Sequence, residues 1–295
     1  RDLENTIQTI CDNLIDKMIQ KNAKVDLIAE YAEKIPLLVI AKHLGMDDAD
    51  LDQLRKWTKI IGSGLDVVSA TQKDVQNAQS ALLEFLAYIK IYVENRKQDP
   101  KNLLIDDLIN NEKEGIYSQQ ELYSMIAVLF IGGHETTINL IGNGIWLLLS
   151  HPQQLAMIQN DFDLIPNAIE EILRYETPVQ RSSFRITVEP VEINGYFIEK
   201  NTPISIALGS VNRDERIFNN PDEFDILRSP NQNLSFGFVM HNCLGKNLSK
   251  FESKIAFERL FTRLDDIKIL TKVPNFSKRT LFRGHEKLEV LVNSK

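Results

Sequence analysis

Apolar positions recur at helical spacing through most of the 295-residue chain. Leu3, Ile7, Ile10, Cys11, Leu14, Ile15 and Met18 share one face of a first predicted helix. Leu27, Ile28, Tyr31, Ala32 and Ile35 predict a second over 25–44, ended by Gly45. Residues 51–61 and 75–93 read as two more helices joined by a softer stretch, and 102–109 as a short one. Ser118 followed by Glu121 is a capping box, and it opens a long apolar helix. A further helix lies near 167–175. After Pro178 the period changes to two. Val191, Ile193, Tyr196, Ile198, Ile204 and Ile206 alternate, with Asn194-Gly195 as a hairpin turn. Leu248, Phe251, Ile255 and Leu260 mark a last helix, and 267–270 and 288–292 read as short strands. The pattern predicts a mainly α fold with small antiparallel β-sheets.

The stretch 126–149 is apolar enough to raise the question of a membrane span. His134, Glu135, Asn139 and Asn143 interrupt it, which favours a buried helix. The net charge of −7 is mixed along the chain and argues against nucleic-acid binding. A hydrophobic content of 43% suffices for a large core. Two cysteines in so long a chain suggest a reducing compartment and no disulfide framework. With no signal peptide in view, the expected location is cytoplasmic. The chain starts directly on a helical pattern and reads as a fragment.

Candidate chemistry concentrates in the loop 236–245, which holds Cys243, with His241 two residues earlier and glycines at 237 and 245. A cysteine at a helix start feels the positive end of the helix dipole, which favours thiolate. One cysteine cannot build a zinc or iron–sulfur cage, but a haem iron needs only one axial protein ligand. A buried structural cysteine and a Cys243–His241 hydrolase are the competing readings. Upstream, Gly132 and Gly133 stand inside a predicted helix, where each costs about 1 kcal/mol relative to alanine. Close approach of a flat cofactor would explain them, as would a helix crossing. Thr136 shares a face with Gly132 and can bond the carbonyl four residues back, and Glu135 beside it is a proton source. Glu171 and Arg174 are spaced to face each other on a helix.

The loop Phe236-Gly-Phe-Val-Met-His-Asn-Cys-Leu-Gly245 resembles the haem-ligand signature of the cytochrome P-450 family, Phe-Gly-x-Gly-x-His-x-Cys-x-Gly. Gly132-Gly-His-Glu-Thr136 resembles the family's distal helix, Glu171-Ile-Leu-Arg174 its Glu-x-x-Arg, and Phe224-Asp-Ile-Leu-Arg228 the segment that completes a buried ion network. The resemblance implies a cytochrome P-450 fold, N-terminally incomplete, in a single domain over 1–295 that lacks the family's N-terminal helices and sheet. It implies heme b (iron protoporphyrin IX), with Cys243 as iron ligand, His241 and Arg185 on its propionates, and Phe236 and Gly245 beside the thiolate. Gly132 and Gly133 would lie over the ring. Thr136 would assist dioxygen protonation and Glu135 relay protons. Glu171, Arg174 and Arg228 would hold the Cys loop. The implied reaction inserts one oxygen atom from O2 into a C–H bond of a small apolar substrate, in secondary metabolism. Electrons would come from NAD(P)H through a ferredoxin or flavodoxin type donor, docking on a basic stripe of Lys246, Lys250 and Lys254. A haem-binding protein without turnover is the alternative. Val239 departs from the signature, which has a small residue there; a β-branched residue at positive φ is costly.

Overall fold

The structure, a computed structural model, describes residues 2–21, 24–46, 50–271 and 273–294. The helices are α1 (Asp2–Gln20), α2 (Lys34–Leu44), α3 (Leu51–Leu65), α4 (Gln72–Gln98), α5 (Leu104–Lys113), α6 (Gln119–Ser150), α7 (Pro152–Asn160), α8 (Ile165–Tyr175), α9 (Leu208–Val211) and α10 (Lys246–Arg263). The strands are β1 (Lys24–Asp26), β2 (Arg185–Ile186), β3 (Val191–Ile193), β4 (Tyr196–Ile198), β5 (Pro203–Ile204), β6 (Leu264–Ile269) and β7 (Glu289–Ser294). They form three antiparallel sheets, ordered β1-β7-β6, β2-β5 and β3-β4. The mainly α fold with small antiparallel sheets read from the pattern is the one found.

Helix α6 joins two apolar cores. Its first half places Leu122, Ile126 and Phe130 against Leu44, Leu54, Trp57, Phe85 and Ile105, from α2 to α5. Its second half places Leu140, Ile141, Ile145 and Leu148 with Ile7, Ile15, Ile172, Phe257 and Val290. Ser118 and Glu121 cap it reciprocally: Ser118 N donates to Glu121 Oε2 at 2.7 Å and Glu121 N to Ser118 Oγ at 3.3 Å. The polar residue Asn143 is fully buried in the second half, and its amide donates to the carbonyls of Glu176 at 3.1 Å and Arg283 at 3.0 Å. Long and apolar enough to cross a membrane, α6 has half of its most apolar window buried inside the fold.

The helix expected over 25–44 begins later than its periodicity suggests. Residues 24–26 form β1 against 289–291 of β7, and a single π-helical stretch, Ile28–Ala32, precedes α2. Asp26 Oδ1 accepts from Ile28 N and Leu288 N, both at 3.0 Å, and this turns the chain out of the sheet. The strand partner lies at the far end of the sequence, where local pattern cannot show it. Gly45 does end α2, at φ 70°, and the Asn194-Gly195 hairpin turn is present with both residues at positive φ.

Glu252 on α10 is buried, and its Oε2 has no hydrogen-bond partner. Burial pushes its pKa up to about 8 from an ordinary 4.5. The folded pKa exceeds the unfolded one, so its contribution to stability is whole below 4.5 and is lost as pH rises toward 8. Glu252→Gln therefore melts higher than the parent at pH 8, by several degrees, and close to the parent near pH 4.5. Thermal melts of the two proteins across that range check it.

Candidate functional site

The loop before α10 is folded on its own backbone. Cys243 N donates to Phe236 O at 2.8 Å, and Gly237 N to Leu234 O at 2.9 Å. Gly237 sits at φ 76°, and a Cβ there would lie 2.7 Å from His241 O, so only glycine permits the crossing. Val239 opens a one-turn 3-10 helix, Val239–His241, at φ 53°. The β-branched residue therefore occupies the left-handed region, at a cost of about 1–2 kcal/mol. Cys243 and His241 are exposed, as are the apolar side chains of Phe238, Met240 and Leu244. Gly245 is the N-cap of α10, so the thiol emerges at the helix entrance. The Lys250 ammonium lies 5.5 Å over the Phe236 ring and pairs with Glu170. The basic stripe expected of Lys246, Lys250 and Lys254 is thus broken at its middle member, whose charge is matched by an acid from α8.

A buried carboxylate anchors this loop from behind. Glu171 and Arg174 are both fully buried on α8. Glu171 Oε2 accepts from Arg174 Nε at 2.7 Å, Arg228 Nε at 3.1 Å and Asn231 Nδ2 at 3.0 Å. Its Oε1 accepts from Arg174 Nη2 at 2.8 Å and Asp225 N at 2.9 Å. Arg174 Nη1 then donates to the Asn212 carbonyl at 3.1 Å. The Asn212 side chain continues the chain of bonds, accepting from Leu234 N and donating to Ser235 Oγ, both at 2.8 Å. Ser235 Oγ donates to Leu173 O at 2.7 Å. Residue 236, which binds the Cys243 amide, comes next. Asn212 and Ser235 carry as much of this linkage as the charged residues do.

On α6, Thr136 Oγ1 donates to Gly132 O at 2.7 Å. A Cβ at Gly132 or Gly133 would meet nothing within 4 Å. Gly142 and Gly144 differ: a Cβ at the first would meet Ile28 and at the second Phe257 of α10. Glycines on α6 that ease a crossing are thus 142 and 144, whereas 132 and 133 face open space with bare backbone. The Gly144–Phe257 contact also packs the helix of Thr136 onto the helix that follows Cys243. His134 turns the other way, with Nδ1 2.8 Å from Thr58 Oγ1, and burial pushes its pKa down to about 4. Glu135 is half-buried and pairs with Arg279, a residue that sequence reasoning missed. Burial pushes its carboxyl up; Arg279 and Lys59 oppose this. Arg185 is exposed on β2 and donates to its neighbour Ser183 O at 3.0 Å, apart from the other site residues in its bonding.

The donor set fits a flat, apolar ring held by one sulfur. It offers a single exposed thiol, exposed apolar side chains beside it, and a bare helix backbone on a packed neighbouring helix. Among the described residues no group of three or more His, Cys, Asp or Glu could hold a metal ion by itself.

Two substitutions test these assignments. Glu171→Gln leaves two buried guanidiniums incompletely matched and costs about 3–5 kcal/mol, read from urea unfolding. Val239→Gly releases the left-handed strain at an exposed side chain and raises stability by about 1 kcal/mol in the same assay.

The family model described as Cytochrome P450 matches residues 65–165 and 159–290. A cytochrome P450 of Bacillus subtilis (strain 168) is 40% identical over 268 residues, covering 90% of this chain and 64% of that protein. The polyketide biosynthesis cytochrome P450 PksS of the same organism is 35% identical, over 98% of this chain and 70% of PksS. The crystal structure of P450BioI in complex with an acyl carrier protein ligated to hexadec-9Z-enoic acid superposes with a TM-score of 0.93 at 33% identity. It covers 99% of this chain and 74% of that one. The chain thus spans about two thirds of the length of the curated relatives it matches.

Proposed function

The chain belongs to the cytochrome P450 family, and from that premise we propose that the protein is a haem-thiolate monooxygenase. It inserts one oxygen atom from O2 into a C–H bond of a small apolar molecule. The observation that carries this reading is the pairing of bare backbone at Gly132 and Gly133, beside Thr136, with an exposed Cys243 at the entrance of the helix packed onto α6. Heme b, when bound, supplies the redox chemistry: a thiolate ligand pushes electron density toward iron and favours O–O cleavage.

The residues of the chain do the rest. Cys243 holds the iron, its amide fixed to Phe236 O. His241 and Arg185 are the propionate partners. The exposed guanidinium of Arg185 donates to Ser183 O and has further N–H groups that could serve that role. The glycines of α6 let the ring approach the helix, and the network on Glu171 keeps the loop in register with α8. Thr136, whose hydroxyl donates to Gly132 O, would hold a proton beside the bare glycine backbone, and Glu135 would renew it. Burial pushes the Glu135 carboxyl up, against Arg279 and Lys59, which favours the protonated form that a proton donor needs.

The substrate class is apolar and belongs to secondary metabolism. The relative named for polyketide biosynthesis supports the metabolic setting, and the neighbour holding a carrier-bound fatty acid supports the apolar class. Electrons come from NAD(P)H through a ferredoxin or flavodoxin type donor, and the location is the cytoplasm, consistent with two free cysteines.

The reduced carbon-monoxide difference spectrum tests the assignment. Wild type gives the thiolate-type band, Cys243→His gives the histidine type, and a histidine-type spectrum in wild type rejects it. Thr136→Val keeps the haem and lowers the product formed per electron pair consumed.

A further inference from the structure

Three distant parts of the chain meet around the Glu135 carboxylate. One of its oxygens pairs with Arg279, and the other, Oε2, is buried without a hydrogen-bond partner. A Cβ added at Gly62 on α3 would overlap Oε2, so the α3 backbone closes on the carboxylate with no side chain between. Arg279 is in turn held through its neighbours. Asp66, the residue that ends α3, is buried. It accepts from Thr280 N, from Thr280 Oγ1 at 2.7 Å, from Leu281 N at 3.0 Å and from Ser69 Oγ at 2.6 Å. All but the last of these bonds grip Thr280 and Leu281, the two residues that follow Arg279.

We propose that Arg279 is the positioning residue of the Glu135 carboxylate and that Asp66 holds Arg279 in place. The turn after α3, the segment 279–281 and the acid of α6 then behave as one unit. The consequence for catalysis rests on the proton-carrying role given to Glu135 above; the positioning itself does not.

The charges that face Glu135 are Arg279 from the C-terminal segment and Lys59 from α3. His134 beside it is turned to Thr58 and the Glu33 carbonyl. With so few charges in reach, the place of Arg279 decides how firmly Glu135 keeps its proton. The coupling is reciprocal. An ionised Glu135 tightens the segment 279–281 against α6, and a protonated one loosens it. The grip of Asp66 is pH-independent near neutrality, because the hydrogen bonds from Ser69, Thr280 and Leu281 hold its carboxyl well below the usual range despite burial.

An infrared titration of the haem-loaded full chain, with 13C-labelled glutamate, reads the Glu135 carboxyl; Glu135→Gln identifies its band. Arg279→Gln is expected to raise the midpoint by about one unit or more, a tenfold change in the ionisation constant. Arg279→Lys restores most of it. Asp66→Asn speeds amide exchange at Thr280 and Leu281 about tenfold and moves the midpoint the same way by less. An unmoved midpoint in Arg279→Gln, with parental circular dichroism and haem content, overturns the proposal. So does an Asp66→Asn protein that frees the two amides and leaves the midpoint in place. Should Arg279→Gln not fold, Asp66→Asn carries the test alone, read at the two amides and at the midpoint. If the midpoint moves while product per electron pair stays constant, the positioning stands and the proton-carrying role of Glu135 falls.

Discussion

One buried carboxylate, that of Glu171, holds the geometry on which the candidate site depends. Taking a carboxylate and two guanidiniums out of water costs several kcal/mol per ion. Here the cost is offset by donors filling both oxygens and by backbone carbonyls of Asn212, Pro221 and Glu223 filling the guanidinium of Arg174. Such an arrangement contributes little net stability over an apolar core of the same shape. It does fix where three loops lie relative to α8, because each carbonyl and amide has one place to go. Asn212 transmits that placement. Its main-chain carbonyl belongs to the Arg174 shell, and its side chain belongs to residues 234 and 235. The loop that presents Cys243 is thus referenced by hydrogen bonds to α8, well upstream in the chain, with little apolar packing of its own.

Helix α6 solves the complementary problem of presenting a bare surface without losing its hold. A helix interrupted by paired glycines in water would be weak. This one is anchored on both sides of the interruption, in separate apolar cores. The glycine pair can therefore remain uncovered while the glycines nearer the C-terminus do the different work of close packing. Burial at both ends also explains why the helix tolerates Thr136 bonding back to Gly132 O, a contact that competes with regular helix bonding.

Much of this was legible in the sequence where the signal is local. Periodicity revealed the helices, Ser118 and Glu121 the start of α6, Gly45 the end of α2, and Asn194-Gly195 the hairpin. Val239 could be seen to stand where a left-handed turn was due, and it adopts one at φ 53°. What local pattern missed was settled by distant partners. Residues 24–26 resemble a helix entrance until β7 is beside them. Lys250 resembles a solvated stripe until Glu170 faces it. Arg279 and Asp66 carry no sequence signal, since a lone charged residue near a loop is ordinarily a surface residue. Their role arises from an encounter between segments more than two hundred residues apart.

The apolar side chains around the thiol complete the picture. Phe238, Met240 and Leu244, all within five residues of Cys243, are exposed. Exposed apolar side chains grouped beside a thiol suit a place where an apolar group binds. Neither core draws on these residues, so the helical frame does not need them buried in order to fold. A group that bound here would add its binding free energy to a frame already formed, stabilising the loop by mass action without building the fold. The strain at Val239 sits in the segment proposed to hold the ring, while the residues that aim that segment are locked in the network on Glu171.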